Sequence, residues 1–170
     1  FGIYQYAKIL EANGFIEIGN PIKENSLCKV CKHEYSLHRK SIEERLKHKC
    51  CNNFVPLTFG LMTGENSQND REELLNIYNA PNNLYGDVCS VIFVSNVAYS
   101  GVSFLNTNNL IMISRVSYIS KWNQIAARIV RTKSHALLPP EKQYAKIYTF
   151  IVNYPDECKV FPKLKGLTIG

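Results

Sequence analysis

Short apolar runs recur along the chain at 57–62, 88–95, 110–114 and 144–152, and stretches with helical spacing lie between most of them. The run 88–95 is rich in Val, Ile and Phe and has no polar alternation, as a central strand covered on both faces requires. Residues 15–18 read as a further short strand. Helical spacing places Ile3, Tyr6, Ala7 and Leu10 on one side of 3–12, and Asn13-Gly14 supplies its stop signal. Asp70 is read as the cap of a helix reaching Asn79, with Leu74, Leu75 and Tyr78 on its inner face. Ser120 is read as the cap of a helix over 121–131. Strands alternating with helices predict right-handed crossovers, a mainly parallel sheet and an α/β fold.

The chain has 170 residues, of which 45% are hydrophobic and 20% charged, enough to bury the core of one domain. It contains no uninterrupted apolar run of about eighteen residues, so no membrane span is expected. The opening FGIYQYAKIL lacks the basic-then-apolar order of a signal peptide. With no Met at its start, the chain reads as a fragment or trimmed domain. Its net charge of +6 favours contact with a polyanion such as DNA or RNA.

Between 19 and 56 the strand–helix pattern gives way to Cys, His, Lys and Glu, which marks an insert. Cys28, Cys31, Cys50 and Cys51 lie there with His33, His38 and His48, while Cys89 and Cys158 stand apart. Cys28-Lys-Val-Cys31 lets two thiolates face one zinc ion from a single turn. The spacing leaves the completion open: His38 with Cys51 or Cys50, or His48 with Cys51. Adjacent Cys50 and Cys51 bridge each other poorly, so a reduced, intracellular compartment is expected rather than a disulfide framework. Cys89 reads as a small buried hydrophobe, and His33 as facing solvent.

The segment Trp122-Asn-Gln-Ile-Ala-Ala-Arg-Ile-Val-Arg131 carries the chemistry. Gln124, Arg128 and Arg131 sit at i, i+4 and i+7, one face of a helix. Guanidinium groups grip phosphate oxygens in a fork, and a finger arginine stabilises charge developing on a γ-phosphate. Trp122 is expected to pack in the core or against another lobe, and His135 to play a structural part.

These residues resemble the second RecA-like lobe of superfamily 2 helicases, whose last motif reads Q-x-x-G-R-x-x-R. Gln124-Ile-Ala-Ala-Arg128-Ile-Val-Arg131 follows it with Ala127 in place of the glycine. Upstream, in matching order, come the helix and turn of 1–15, the strand 57–62 with Thr63-Gly64 and its helix, and the strand 91–95 leading to Gly101. Arg131-Thr-Lys-Ser-His135 and Ile77-Tyr-Asn-Ala-Pro are similar to the helicase-like ATPases and early transcription factors of large cytoplasmic DNA viruses. Ser100 and Ser103 depart from the acidic residues common in that loop. No G-x-x-x-x-G-K-[ST] and no Asp-Glu-x-His block occurs.

The resemblance implies a RecA-like domain over 1–18 and 57–153, the insert 19–56 and a linker 154–170. It implies ATP with Mg²⁺ shared with a first lobe of the same polypeptide, Arg128 and Arg131 as fingers, Gln124 as coordinating amide, and Gly101 and Ser103 on the nucleotide-coupling loop. The fragment alone is expected to be inactive. DNA or RNA and the transcription machinery are the implied partners, and host cytoplasm and virion the implied locations. A C-x2-C-x6-H arrangement before a Phe-x-Pro phrase, matched by Cys31, His38 and Phe54-Val-Pro56, favours His38; the expected zinc set is Cys28, Cys31, His38 and Cys51, with Cys50 the alternative to Cys51. The competing expectation is a non-hydrolysing module whose zinc insert contacts nucleic acid or protein.

Overall fold

The computed structural model describes residues 2–96, 101–114 and 118–150. The expectations for Ser100, Cys158 and the linker 154–170 fall outside them. Helix α1 (Gly2–Ala12) leads to β1 (Ile16–Glu17). The insert follows, with α2 (Tyr35–His38) and α3 (Ile42–Lys47). The chain then forms β2 (Thr58–Met62), α4 (Gln68–Asn79), β3 (Val91–Val94), β4 (Asn109–Met112), α5 (Ile119–Ala126) and β5 (Lys146–Thr149). The fold is mixed α/β, and among the described residues the five strands pair in parallel: β1-β2-β3 in one ladder, β4-β5 in another.

Two expectations are corrected by this topology. Among the described residues the pairings form two separate ladders rather than one sheet. The central strand of the larger ladder is β2, not the 88–95 run, which narrows to Val91–Val94 and is half-buried at every position. Burial explains the order: Phe59 and Met62 of β2 have no exposed surface, because β2 is flanked by β1 and β3 and covered by Leu74 of α4. Met62, Phe104 and Ile129 form the buried centre of the core, with Leu75, Tyr78, Ile92 and Leu110 packed around it. Gly60 permits this approach, since a Cβ there would stand 2.6 Å from Leu74 Cδ1.

Helix ends follow local chemistry. Ser67, rather than Asp70, is the N-cap of α4. Asp70 closes a reciprocal capping box: its amide donates to Ser67 Oγ and its carboxylate accepts from the Ser67 amide, both at 3.1 Å. At the end of α1, Phe15 N–H donates to Leu10 O and Gly14 N–H to Glu11 O, a Schellman closure with Gly14 at φ 79°. A Cβ on Gly14 would lie 2.7 Å from Asn25 O and 2.6 Å from Leu27 Cγ. Gly14→Ala therefore destabilises the chain by at least about 1–2 kcal/mol, the cost of a left-handed Ala, before the clash is counted. Denaturant midpoints of the two proteins measure it, and equal midpoints would refute the assigned turn.

The Cys/His segment is held to the rest of the chain by this same turn. Leu27 N–H donates to Gly14 O at 2.8 Å, and Leu57 N–H to Leu27 O at 3.0 Å. Lys29 Nζ bonds the Tyr85 carbonyl and pairs with Asp87 at 2.5 Å. Asn83, buried in the same region, satisfies four backbone groups: its amide donates to the carbonyls of Tyr78 and Cys89, and its Oδ1 accepts from Val88 and Cys89 N–H. No helix among the described residues is long and apolar enough to cross a membrane.

Candidate functional site

Two clusters carry chemistry, and the sharper lies in the insert. Cys28 N–H donates to His33 O and Lys32 N–H to Cys28 O, which folds Cys28-Lys-Val-Cys31 into a tight turn with Lys32 at φ 63°. The second cysteine pair leaves the end of α3. Cys50 N–H donates to Arg45 O and Lys49 N–H to Leu46 O, with Lys49 at φ 53°. This Schellman closure turns the chain back toward the first pair. Arg45 Nη2 braces the return by donating to the carbonyls of Cys51 at 2.8 Å and Asn52 at 2.7 Å. His38 ends α2 with its ring edge-on to Phe54, centroids 5.0 Å apart, and Tyr35 packs on the same ring at 4.8 Å.

These supports bring the ligand atoms of Cys28, Cys31, His38 and Cys51 within 4.8 Å of one another. Cys28 Sγ is 3.5 Å from Cys51 Sγ, and Cys31 Sγ is 3.2 Å from His38 Nε2. Tetrahedral zinc with bonds of about 2.3 Å to sulfur and about 2.0 Å to nitrogen places its ligand atoms about 3.5–3.8 Å apart, near the 3.5 and 3.2 Å spacings of these two pairs, so the four residues could hold such an ion. His48 is exposed and stands outside the set. A second grouping, Cys31 with His33 and Cys50, shares one thiol with the first, and Cys31 Sγ lies 3.8 Å from Cys50 Sγ. His33 is half-buried rather than facing solvent, with its Nδ1 enclosed and unpartnered.

The thiols do not ionise alike. Burial together with the Cys28 and Cys31 sulfurs pushes Cys51 up to about 12. Burial also raises Cys31, but amide hydrogen bonds from Cys51 and His33 and the rings of His33 and His38 outweigh it and hold the thiol down to about 5. The Cys31 thiolate thus forms easily while Cys51 resists, a repulsion that a divalent cation would relieve. Cys89 is buried just before β3 and pushed up to about 12, a small hydrophobe as expected.

The second cluster surrounds Arg128, and here one expectation is corrected. α5 begins at Ile119 with Tyr118 as its N-cap and ends at Ala126, so Arg128 and Arg131 lie beyond the helix and the three residues do not share one helical face. The last turn tightens, with Arg128 N–H donating to Ile125 O and Ile129 N–H to Ala126 O. Tightening swings Ile129 into the core, and Val130 is left exposed. The displaced backbone is captured across the fold: Phe104 N–H donates to Arg128 O at 2.9 Å, and Arg128 Nη1 donates to Val102 O at 3.4 Å. Arg128 is thereby joined to the loop that holds Gly101 and Ser103. Gly101 is exposed at φ 79°, and Ser103 is half-buried. Gln124 and Arg131 are exposed, and Arg131 Nε donates to Ala127 O at 3.3 Å.

Sequence reasoning gave His135 a structural part but missed Asn79, and the two together lock this arrangement. Asn79 donates to Ser103 O at 2.9 Å and accepts from Leu105 N–H at 2.8 Å, pinning both sides of Phe104. His135 bridges Ser134 Oγ and Thr107 O, each at 2.9 Å, which ties the chain after Arg131 to the same loop. An Asn at a helix end carries no pattern that announces such a partner. Trp122 is half-buried and reaches Thr149 Oγ1 at 3.4 Å.

The chain is 27% identical over 156 residues to the early transcription factor large subunit homolog of African swine fever virus (strain Badajoz 1971 Vero-adapted), covering 91% of the chain and 13% of that protein. It is 26% identical over 149 residues, 88% of the chain and 25% of the relative, to a protein of Acanthamoeba polyphaga mimivirus described as an ATP-dependent RNA helicase. Nucleoside triphosphatase I of Melanoplus sanguinipes entomopoxvirus is 31% identical over 90 residues, 53% of the chain and 14% of that protein. The chain is similar to helicase-like proteins of large DNA viruses. The chain spans only a small part of each relative, 13% of the first and 25% of the second. No protein-family model matches it, and no solved structure does.

Proposed function

We propose that this chain is the C-terminal, RecA-like lobe of an ATP-dependent nucleic-acid helicase or translocase acting in viral transcription. The lobe comprises 1–18 and 57–153, and the insert 19–56 binds structural zinc through Cys28, Cys31, His38 and Cys51. Arg128 and Arg131 act on the γ-phosphate of ATP and Mg²⁺ held by a first lobe of the same polypeptide, Gln124 orients the nucleotide, and Gly101 and Ser103 couple its state to the cleft. One observation carries the reading. Arg128 is hydrogen-bonded, through both its carbonyl and its guanidinium, to the loop of Gly101 and Ser103. A group that senses phosphate is thus wired directly to a segment able to move with it.

Zinc, when bound, would supply cross-linking in place of a hydrophobic centre, because the insert's helices α2 and α3 bury no residue. Names among the relatives also support ATP turnover and transcription as the setting. The testing measurement is ATP turnover, stimulated by DNA or RNA, in the polypeptide that carries this chain. Turnover that survives loss of both arginines overturns the reading.

A further inference from the structure

The insert holds most of the chain's excess charge. Residues 19–56 contain eight Lys and Arg against four Asp and Glu, in a chain whose net charge is +6. Three of the eight are paired: Lys29 with Asp87, Arg39 with Glu24, and Lys40 with Glu44. Lys32, Lys47 and Lys49 are exposed and have no acidic partner among the described residues.

Their placement is ordered. Lys32 follows Cys31 and Lys49 precedes Cys50, and the two sulfurs lie 3.8 Å apart, so the lysines flank one point of the metal cluster. Beside them His33 and His48 bring their rings to 6.5 Å, edge to face. Lys32 and Lys49 both hold left-handed backbone, at φ 63° and 53°, where glycine is at ease and a long side chain is not. Both turns would close more easily with Gly. The chain instead keeps a cation at each, a local strain of the kind that gathers at functional positions.

We infer that Lys32 and Lys49, with Lys47 beside them, form a phosphate-binding edge on the insert that grips the backbone of the nucleic acid on which the lobe acts. The inference rests on the helicase reading and extends it: the insert is a second point of contact, apart from the arginines that face ATP. Lysine is a compact point charge, so this edge reads backbone rather than base, and its grip depends on salt. A grip on the strand at the insert holds the nucleic acid while the arginines act on ATP.

The test uses the chain itself, zinc-loaded, with a labelled single-stranded DNA, its RNA counterpart and the DNA duplex. The double variant Lys32→Gly with Lys49→Gly removes both charges and relaxes both turns, so its metal content and circular dichroism stay as in the parent. Its slope of log affinity against log salt becomes shallower by about 1.4 on single strands and about 1.8 on duplex. Lys8→Gln, on α1, leaves the slope alone. Should the glycine pair lose metal, Lys32→Gln with Lys49→Gln decides by the same readout. An unchanged slope overturns the inference, as does a parent chain that binds none of the three probes at low salt. A weaker metal site with unchanged nucleic-acid affinity overturns it too, since the lysines would then serve the thiolates. Failure of the helicase reading shows elsewhere, in ATP turnover that ignores Arg131.

Discussion

Arg131→Ala, in the polypeptide that carries this chain, lowers nucleic-acid-stimulated ATP turnover by about 10³-fold, or about 4 kcal/mol of transition-state stabilisation. Arg131 is exposed and committed only to a 3.3 Å bond from its Nε to Ala127 O, so the far end of its guanidinium is free to meet phosphate. Arg128→Ala lowers turnover comparably but through two losses. It removes a cation and also releases the Val102 carbonyl, loosening the loop of Gly101 and Ser103. Nucleotide affinity falls less than turnover in both variants, because a finger acts chiefly on the transition state. Lys133→Ala, at an exposed position past the arginines, leaves turnover near normal. Measurement at saturating nucleic acid separates lost chemistry from lost activation. Near-normal turnover in both arginine variants would reduce this segment to a packing element.

The second large effect is metal removal. The chain purified without added metal contains about one zinc per molecule, and a strong chelator unfolds the insert, since structural zinc contributes about 10–16 kcal/mol of apparent binding energy in comparable small sites. Cys28→Ser abolishes retention, because Cys28 has no exposed surface and a hydroxyl there is a poor, buried ligand. His38→Ala does the same, whereas His48→Ala keeps the ion, since His48 is exposed and outside the ligand set. Elemental analysis and limited proteolysis within 19–56 read both outcomes. A folded, protease-resistant insert free of metal would sink the assignment.

The insert and the arginine segment differ in how far their sequence could be read. In the insert, short-range signals suffice for most of the geometry. A Cys-x-x-Cys turn closes on itself, and a Schellman turn after α3 aims Cys50 and Cys51. Choosing His38 over His48 was open on spacing, and burial against Phe54 is what places His38 beside the thiols. In the arginine segment, helical periodicity extrapolates one turn too far. Local rules score 121–131 as continuous helix, but a Phe104 amide competes for the Arg128 carbonyl and the core competes for Ile129.

Sequence alone determined the α/β pattern and the parallel pairing that short apolar runs with helices between them demand, and it marked out Cys28, Cys31, His38 and Cys51 as candidates for one cluster. It also carried the relation to viral helicase-like proteins, because motif order is written along the chain. Tertiary structure decided which strand is central, where α5 stops, and that Asn79 and His135 lock the loop beside Arg128. The reason is range. Periodicity and turn chemistry act over a few residues, whereas burial and long-range hydrogen bonds depend on partners that only the folded chain brings together.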